Sequence, residues 1–399
     1  MATNGTVVQF PFVTHGGETT MRRLWLVLIA LFVILPTTAV AQDLTTGAVK
    51  LKFGGRVQLQ AGTSSCDDFP VAEDSKCVEQ VPTTDLYLRR VRLTVSGEIG
   101  DNIDFKIEPD YNKIDQLGLR DAWGRFTFDN LARLKAGHFK RPFDGFQLIS
   151  STQFPTVERA VLIRGLERFV SPSLTAGTVL FNLSDRDIGL ELSGATDNKL
   201  FSYWVGVFTG DSDLKFQDSN NEKQFVGRAQ LQFDVGGLPL KFAGAAAATD
   251  EGYETELQGL QTRYYYDYEL FTELGDFSGG PHFLAGFVFG DNPEQNIAGD
   301  PLDLSLGDNF ASFQTWQVIG TWRFNTDVLG LEGIEPVFRV TYGDPNTDIA
   351  DDGGWGYTPA LQIYFYKRNR LSLSWDFASW EQEGIRGENS FKAQIQFHF

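Results

Sequence analysis

Short segments that alternate between apolar and polar residues follow one another along most of the chain. The last nine residues are the clearest case. Phe391, Ala393, Ile395, Phe397 and Phe399 take one parity, and Lys392, Gln394, Gln396 and His398 take the other. Strand side chains point to opposite faces with period two, so this segment predicts a strand with one oily and one wet face. The stretch from Val49 to Ala61 repeats the pattern. One parity reads Val, Leu, Phe, Gly, Val, Leu, Ala, while the other carries Lys50, Lys52, Gly54, Arg56, Gln58 and Gln60.

Read this way, the chain predicts about sixteen strands, over 49–61, 86–97, 103–111, 117–128, 131–140, 186–195, 199–209, 224–234, 239–249, 257–272, 281–290, 312–324, 335–343, 357–367, 370–379 and 389–399. Many approach the roughly 9–11 residues with which a tilted strand crosses a bilayer. Connections after the first, third and fifth strands, and onward by twos, are mostly long and polar. The intervening ones are mostly tight turns, such as Gly100-Asp101-Asn102, Thr196-Asp197-Asn198 and Gly236-Gly237-Leu238-Pro239. Sorting loops by length onto two ends is the build of a transmembrane antiparallel β-barrel. Lipid offers the backbone no hydrogen-bond partners, so such a sheet must close, and the like-patterned first and last strands suit that pairing. The expected fold class is therefore all-β. Trp204, Trp316, Trp322, Trp380 and Tyr264-Tyr265-Tyr266 fall near strand ends, where barrels place aromatic girdles, although aromatic β-propensity alone also favours strands there.

One connection is out of proportion. Residues 141–185 separate two clear strands and carry Phe143, Phe146, Leu148, Ile149, Phe154, Val161, Leu162, Ile163, Leu166 and Phe169. Connections of this length are functional or disordered, and so many apolar side chains argue against disorder. The expectation is a long loop folded into the lumen as a constriction.

Length and composition add limits. The 399 residues could fill two or three ordinary domains, yet no linker or charge block divides them. Gly 41, Phe 34 and Trp 8, with a mean hydropathy of −0.20, fit a barrel with a wet lumen. At the N-terminus, Met21-Arg22-Arg23, the apolar Leu24 to Leu35 and Ala39-Val40-Ala41 read as a signal peptide with its cleavage site. This divides the chain into residues 1–41, an N-terminal extension with signal peptide, and 42–399, the barrel. Cys66 and Cys77 share one polar loop. In an exported chain they read as a disulfide, worth roughly 3 kcal/mol on the loop-entropy model. The formal charge of −18 gathers in loops: Asp67, Asp68, Glu73 and Asp74; Asp211, Asp213 and Asp218; Asp344, Asp348, Asp351 and Asp352. Negative loops over a basic lumen is the resulting picture.

Energy sorts the remaining charges. A Lys or Arg facing lipid at the midplane costs roughly 2–4 kcal/mol. Lys50, Lys52, Arg56, Arg92, Lys106, Arg228, Arg323 and Lys392 share parity with polar neighbours and are expected to face the channel, along with Asp104, Glu108, Asp110, Glu191 and Asp234. They are either selective or simply solvated lumen charges. Arg89-Arg90 breaks the alternation. Either Arg89 snorkels at the rim, or a bulge turns both inward. Guanidinium forks suit phosphate oxygens, so this pair facing Lys140, Arg141, Arg164 or Arg168 of the long loop would form an anion constriction.

The stretch Leu88-Arg89-Arg90-Val91-Arg92-Leu93-Thr94-Val95-Ser96-Gly97 resembles the porin O/P family, the phosphate-selective outer-membrane porins. Leu119-Arg120-Asp121-Ala122-Trp123, Ala136-Gly137-His138-Phe139-Lys140-Arg141-Pro142-Phe143 and Val157-Glu158-Arg159-Ala160 follow in the same order. The resemblance implies a sixteen-stranded barrel of the bacterial outer membrane, usually trimeric, that passes phosphate or polyphosphate through a basic constriction. Its expected partners are outer-membrane lipid, lipopolysaccharide and small anionic solutes, with no nucleic acid. Alternatives are a general, weakly selective or cation-preferring porin, and a non-conducting structural barrel. No enzyme is expected, because the four histidines are scattered and no G-x-S-x-G, H-E-x-x-H or Walker pattern occurs. No cofactor or metal is expected either: Asp344-Pro345-Asn346-Thr347-Asp348 begins like a Ca²⁺ loop, but Ile349 stands where the turn glycine belongs.

Overall fold

The structure, a computed structural model, describes residues 43–46, 49–65, 83–113, 116–160, 179, 181, 183–210, 223–255, 259–306, 308–382 and 387–399. The expected signal peptide, Cys66, Cys77, Arg164 and Arg168 lie outside the described residues. A four-residue strand, β1 (Asp43–Thr46), pairs with the start of the next strand. Sixteen strands then form the wall. They begin with β2 (Val49–Ser65), β3 (Thr83–Ile99), β4 (Ile103–Lys113), β5 (Gln116–Thr127), β6 (Arg133–Lys140), β7 (Arg186–Ala195), β8 (Phe201–Phe208) and β9 (Gln224–Val235). They continue with β10 (Leu238–Thr255), β11 (Gly259–Leu274), β12 (Gly280–Asn296), β13 (Phe310–Asn325), β14 (Gly333–Asp344), β15 (Gly354–Tyr366), β16 (Asn369–Trp380) and β17 (Glu388–His398). Neighbours in sequence pair antiparallel, and β17 returns to β2 with Phe397 opposite Val57 and Ala393 opposite Ala61. The barrel is closed.

The seam explains one glycine. Gly55 donates its N–H to the Phe399 carbonyl at 2.9 Å and accepts from the Phe399 N–H at 3.2 Å. A Cβ on Gly55 would sit 2.6 Å from the Phe399 ring and 2.7 Å from the Arg92 carbonyl oxygen, so no larger residue fits.

The two faces are inverted relative to a water-soluble protein. Leu93, Ile107, Leu190, Val205, Leu270 and Phe338 are exposed, whereas Gln58, Arg92, Glu108, Glu269, Arg339 and Gln394 are buried. An apolar exterior over a polar interior is what a lipid surround demands of a barrel. Parity also splits the tyrosine run, with Tyr264 and Tyr266 exposed and Tyr265 buried. Loop sorting has two exceptions. Strands β4 and β5 leave only 114–115 between them, and β10 and β11 leave only 256–258, because these strands run further than their alternation predicts.

Part of the interior is apolar. Phe143, Phe146, Phe154, Phe181 and Leu183, all from the long connection, cluster with Val226, Ala243, Tyr265, Phe271, Leu284, Val288, Phe313, Ile319 and Val337 of strands β9 to β14. The Phe146 ring meets Phe271 edge-on at 5.3 Å. Each such phenyl contributes about 1.5–3 kcal/mol by burial. These described residues of the connection thereby pack against β9–β14, while its Ser151 and Glu158 reach Arg56 of β2 and Arg89 and Arg90 of β3.

Beyond the strand ends, Asp352 sits between β14 and β15. Burial, followed by the charge of Asp344, pushes its carboxyl up to about 6 from the ordinary 3.8. The folded state holds this proton more tightly than the unfolded chain. Its contribution to stability is therefore full below about pH 4 and is lost as pH rises through 6. Carbon-13 NMR titration of the Asp352 carboxyl in micelles should give a midpoint near 6; a midpoint near 4 would contradict the geometry.

Candidate functional site

The site begins with a register shift. Gln58 pairs with Arg90 and Leu59 with Leu88, which leaves Arg89 as the extra residue of a bulge in β3. Of the two arrangements open from sequence, the bulge is the one adopted. Arg89 Nε then lies 2.6 Å from Glu158 Oε1, and Arg90 Nη2 lies 3.2 Å from Glu158 Oε2. Arg90 Nη1 also donates to Gln58 Oε1 at 2.9 Å.

Along the adjoining wall, charges alternate in a lattice. Arg56 donates to both Glu108 oxygens at 2.8 Å, and to Ser151 Oγ at 2.8 Å. Arg92 Nε donates to Asp110 at 2.8 Å and its Nη1 lies 3.6 Å from Glu108. Lys106 lies 3.1 Å from Glu108 and 2.5 Å from Asp121, which also accepts from Arg186 Nε at 2.7 Å. Arg120 reaches Asp185 at 3.4 Å. Burial alone would raise the Asp185 carboxyl, but Arg120 and Arg186 hold it below the usual range. Towards the short-turn end, Lys135 lies 3.7 Å from Glu191 and 3.8 Å above the Phe139 ring.

The facing side is built from the long connection. A helical turn, Gly145–Leu148, is capped by the Asp144 side chain, which accepts from Phe146 N and Gln147 N. Glu269 of β11 accepts the N–H groups of Asp144 and Gly145 at 2.9 and 2.6 Å, and is itself paired with Arg228 at 2.6 Å. Lys140 donates to the carbonyls of Gln147, Leu148 and Ile149; Arg159 donates to those of Phe146 and Ile149. Burial, reinforced by Arg90 and Arg186, pushes the Arg159 guanidinium down to about 9, still cationic at neutral pH. From the wall, Arg339 donates to the carbonyls of Glu158 and Arg159 at 2.9 and 2.8 Å, and Arg370 to that of Phe154 at 2.6 Å.

Between the two sides lies a cavity of about 290 Å³. Nine basic side chains line it: Arg56, Arg90, Arg92, Lys106, Arg120, Lys135, Lys140, Arg159 and Arg186. Asp121 is the single acidic one, with Trp123, Phe139, Gln147, Leu148, Ser150 and Ser151 completing the lining. Of the residues expected from sequence, the cavity brings together Arg56, Arg90, Arg92, Lys106 and Lys140, with Arg89 beside it through Glu158.

Five others are placed elsewhere. Lys50 and Lys52 are exposed at the short-turn end, Lys50 paired with Glu98 at 3.2 Å. Arg141 is fully buried against Gln224 and the Ser184 carbonyl, and Arg228 serves Glu269. Arg323 covers the Tyr364 ring at 3.9 Å. Depth along the barrel and neighbouring carboxylates decide which basic residues meet the cavity. Sequence reasoning missed Arg120, Lys135, Arg159 and Arg186. Lys135 shares inward parity with Phe139, and Arg186 opens β7, so alternation alone contained part of that signal.

A family model described as phosphate-selective porin O and P matches residues 68–261. This is the family that the sequence motifs resemble. Among solved structures, the outer membrane channel DcaP of Acinetobacter baumannii is similar over 90% of this chain and 100% of that one, with 14% identity and a TM-score of 0.56. OprB of Pseudomonas putida covers 88% of this chain and 94% of its own, at 9% identity and a TM-score of 0.59. An anion-selective porin from Comamonas acidovorans covers 88% and 100%, at 12% identity and 0.54. At these identities the likeness shows the fold. No curated protein matches the chain. Barrel and family match together describe a porin channel of the outer membrane.

Proposed function

We propose that this porin passes small anions, phosphate-like ones first, through the cavity between residues 144–159 and the wall of β2–β7, which acts as the constriction. The observation that carries the reading is the lining: nine basic side chains against one acidic. A low-dielectric wall focuses that positive field, while acidic outer loops further than about 8–10 Å away are screened at physiological salt.

The carboxylates behind the lining have a role in this reading. Conduction needs binding strong enough to admit an ion and weak enough to release it. Glu108, Asp110 and Asp121 already hold one edge of Arg56, Arg92 and Arg186, which tempers their grip on a passing anion. Lys140 and Arg159 direct their hydrogen bonds to carbonyl oxygens and face the cavity without a carboxylate partner among the described residues. The same carboxylates favour the second reading, a general pore of weak selectivity. We also propose a homotrimer; a trimer form of the similar OmpT of Vibrio cholerae, at 12% identity and a TM-score of 0.53, supports this.

Planar-bilayer recording tests the solute. Ion-conducting steps are expected, with chloride current blocked by millimolar phosphate. Steps without phosphate block would leave the general pore, and no steps at all would leave a non-conducting barrel.

A further inference from the structure

The bulge at Arg89 has a feature that the cavity reading does not use. It aims two adjacent guanidinium groups at one carboxylate: Arg89 grips both oxygens, Nε donating to Glu158 Oε1 at 2.6 Å and Nη2 to Oε2 at 3.1 Å, and Arg90 Nη2 donates to Oε2 at 3.2 Å. This is the fork geometry that arginine offers to carboxylate and phosphate alike. We propose that Arg89 and Arg90 form a second anion site, at the outer end of the cavity, whose resting occupant is the chain's own Glu158 carboxylate, and that an entering phosphate-like anion displaces it. The inference rests on the anion-channel reading of the cavity.

Position supports the exchange. Strand β3 runs from the long-loop end at Thr83 to the short-turn end at Ile99, so Arg89 and Arg90 precede Arg92 on the way in. The Arg89 side chain keeps 30% of its surface exposed, whereas Arg90 lines the cavity itself. An anion therefore meets Arg89 first and is passed to Arg90. The backbone of Glu158 is fixed, because its carbonyl accepts from Arg339 and from Thr156 Oγ1. Only its side chain needs to move. Burial alone would raise its carboxyl, but Arg89 and Arg90 hold it well below the usual range, so it is an anion at any physiological pH. The incoming anion restores both guanidinium pairings, so the exchange costs chiefly what the displaced Glu158 carboxylate loses on leaving them.

Glu158→Gln keeps the shape and removes the competitor. Inorganic phosphate should then block chloride current at about tenfold lower concentration, and anion selectivity should rise, without any increase in single-channel conductance. Glu158→Asp keeps the charge on a shorter side chain, so its phosphate block should fall between those of the wild type and Glu158→Gln; a block equal to that of Glu158→Gln would overturn the proposal. If Glu158 only pins the segment, Glu158→Gln will raise conductance and lower selectivity, which overturns the proposal, as does an unchanged block. Should Glu158→Gln not fold, Arg89→Gln reads the same site: phosphate block should need about tenfold more phosphate, and an unchanged block overturns the proposal. A cation-selective wild type would end the anion-channel reading separately, whatever the Glu158 variants show.

Discussion

Arg339→Ala should open the channel. Arg339 is fully buried in β14 and spans two structures. Its Nη2 is 2.9 Å from Asp376, while its Nη1 donates to the carbonyls of Glu158 and Arg159 at 2.9 and 2.8 Å. Alanine removes both connections at once. Breaking a buried pair costs about 3–5 kcal/mol; Lys392 still pairs with Asp376, which keeps the loss near the lower end. The barrel, closed by continuous ladders, should survive. Glu158 and Arg159 lose their carbonyl bonds to the wall, while Pro155, Val157 and the Glu158 carboxylate keep theirs to Gln362, Ser374 and Arg89; the segment loosens, and single-channel conductance should rise by about twofold. Protease should also cut within this segment faster. Unchanged conductance would mean that the segment does not limit flow.

Arg120→Glu should have the largest effect on selectivity. Among the lining arginines its ion pairs are loose, 3.8 Å to Asp110 and 3.4 Å to Asp185, and its side chain is 36% exposed. Structural cost should therefore be small, while the cavity changes by two charge units. Unit charges about 8 Å apart interact by about 2 kcal/mol at an effective dielectric constant of 20, so the anion-to-cation permeability ratio should fall at least about tenfold. Reversal potentials read this directly. A ratio within a factor of two of the wild type, about 0.4 kcal/mol, would place the permeation path elsewhere.

The barrel was legible because its signal is local. Alternation at period two needs only neighbouring residues, and closure follows from two termini with the same pattern. Strand ends were less legible. The outer part of β10, Asp250-Glu251-Gly252, has no apolar parity, since strand projecting beyond lipid has water on both faces. A second signal lay in the apolar cluster of the interior. In β10, Ala245-Ala246-Ala247-Ala248 is small and apolar on both parities. A strand apolar on both faces has something apolar packed inside it, and here that is the long connection with Phe143, Phe146 and Phe154.

The cavity was only half legible, because register and depth create it. Arg56 and Arg92 are direct cross-strand partners, a fact no spacing in sequence reveals. Arg186 and Lys106 meet only through Asp121, from three different strands. Arg228 and Arg92 have the same parity and residue type, yet one binds Glu269 beneath the helical turn and the other faces the cavity. Net charge carries none of this: the −18 of the whole chain coexists with a lining that is nine to one basic.

The central claim is that fixed positive charge in this cavity decides what passes. The most direct test is the zero-current potential of the purified porin in a planar bilayer, with a KCl gradient across it. The potential should carry the sign set by chloride, approaching the chloride equilibrium value at low salt and shrinking as salt rises and screens the lining. A potential of the sign set by potassium would contradict the claim.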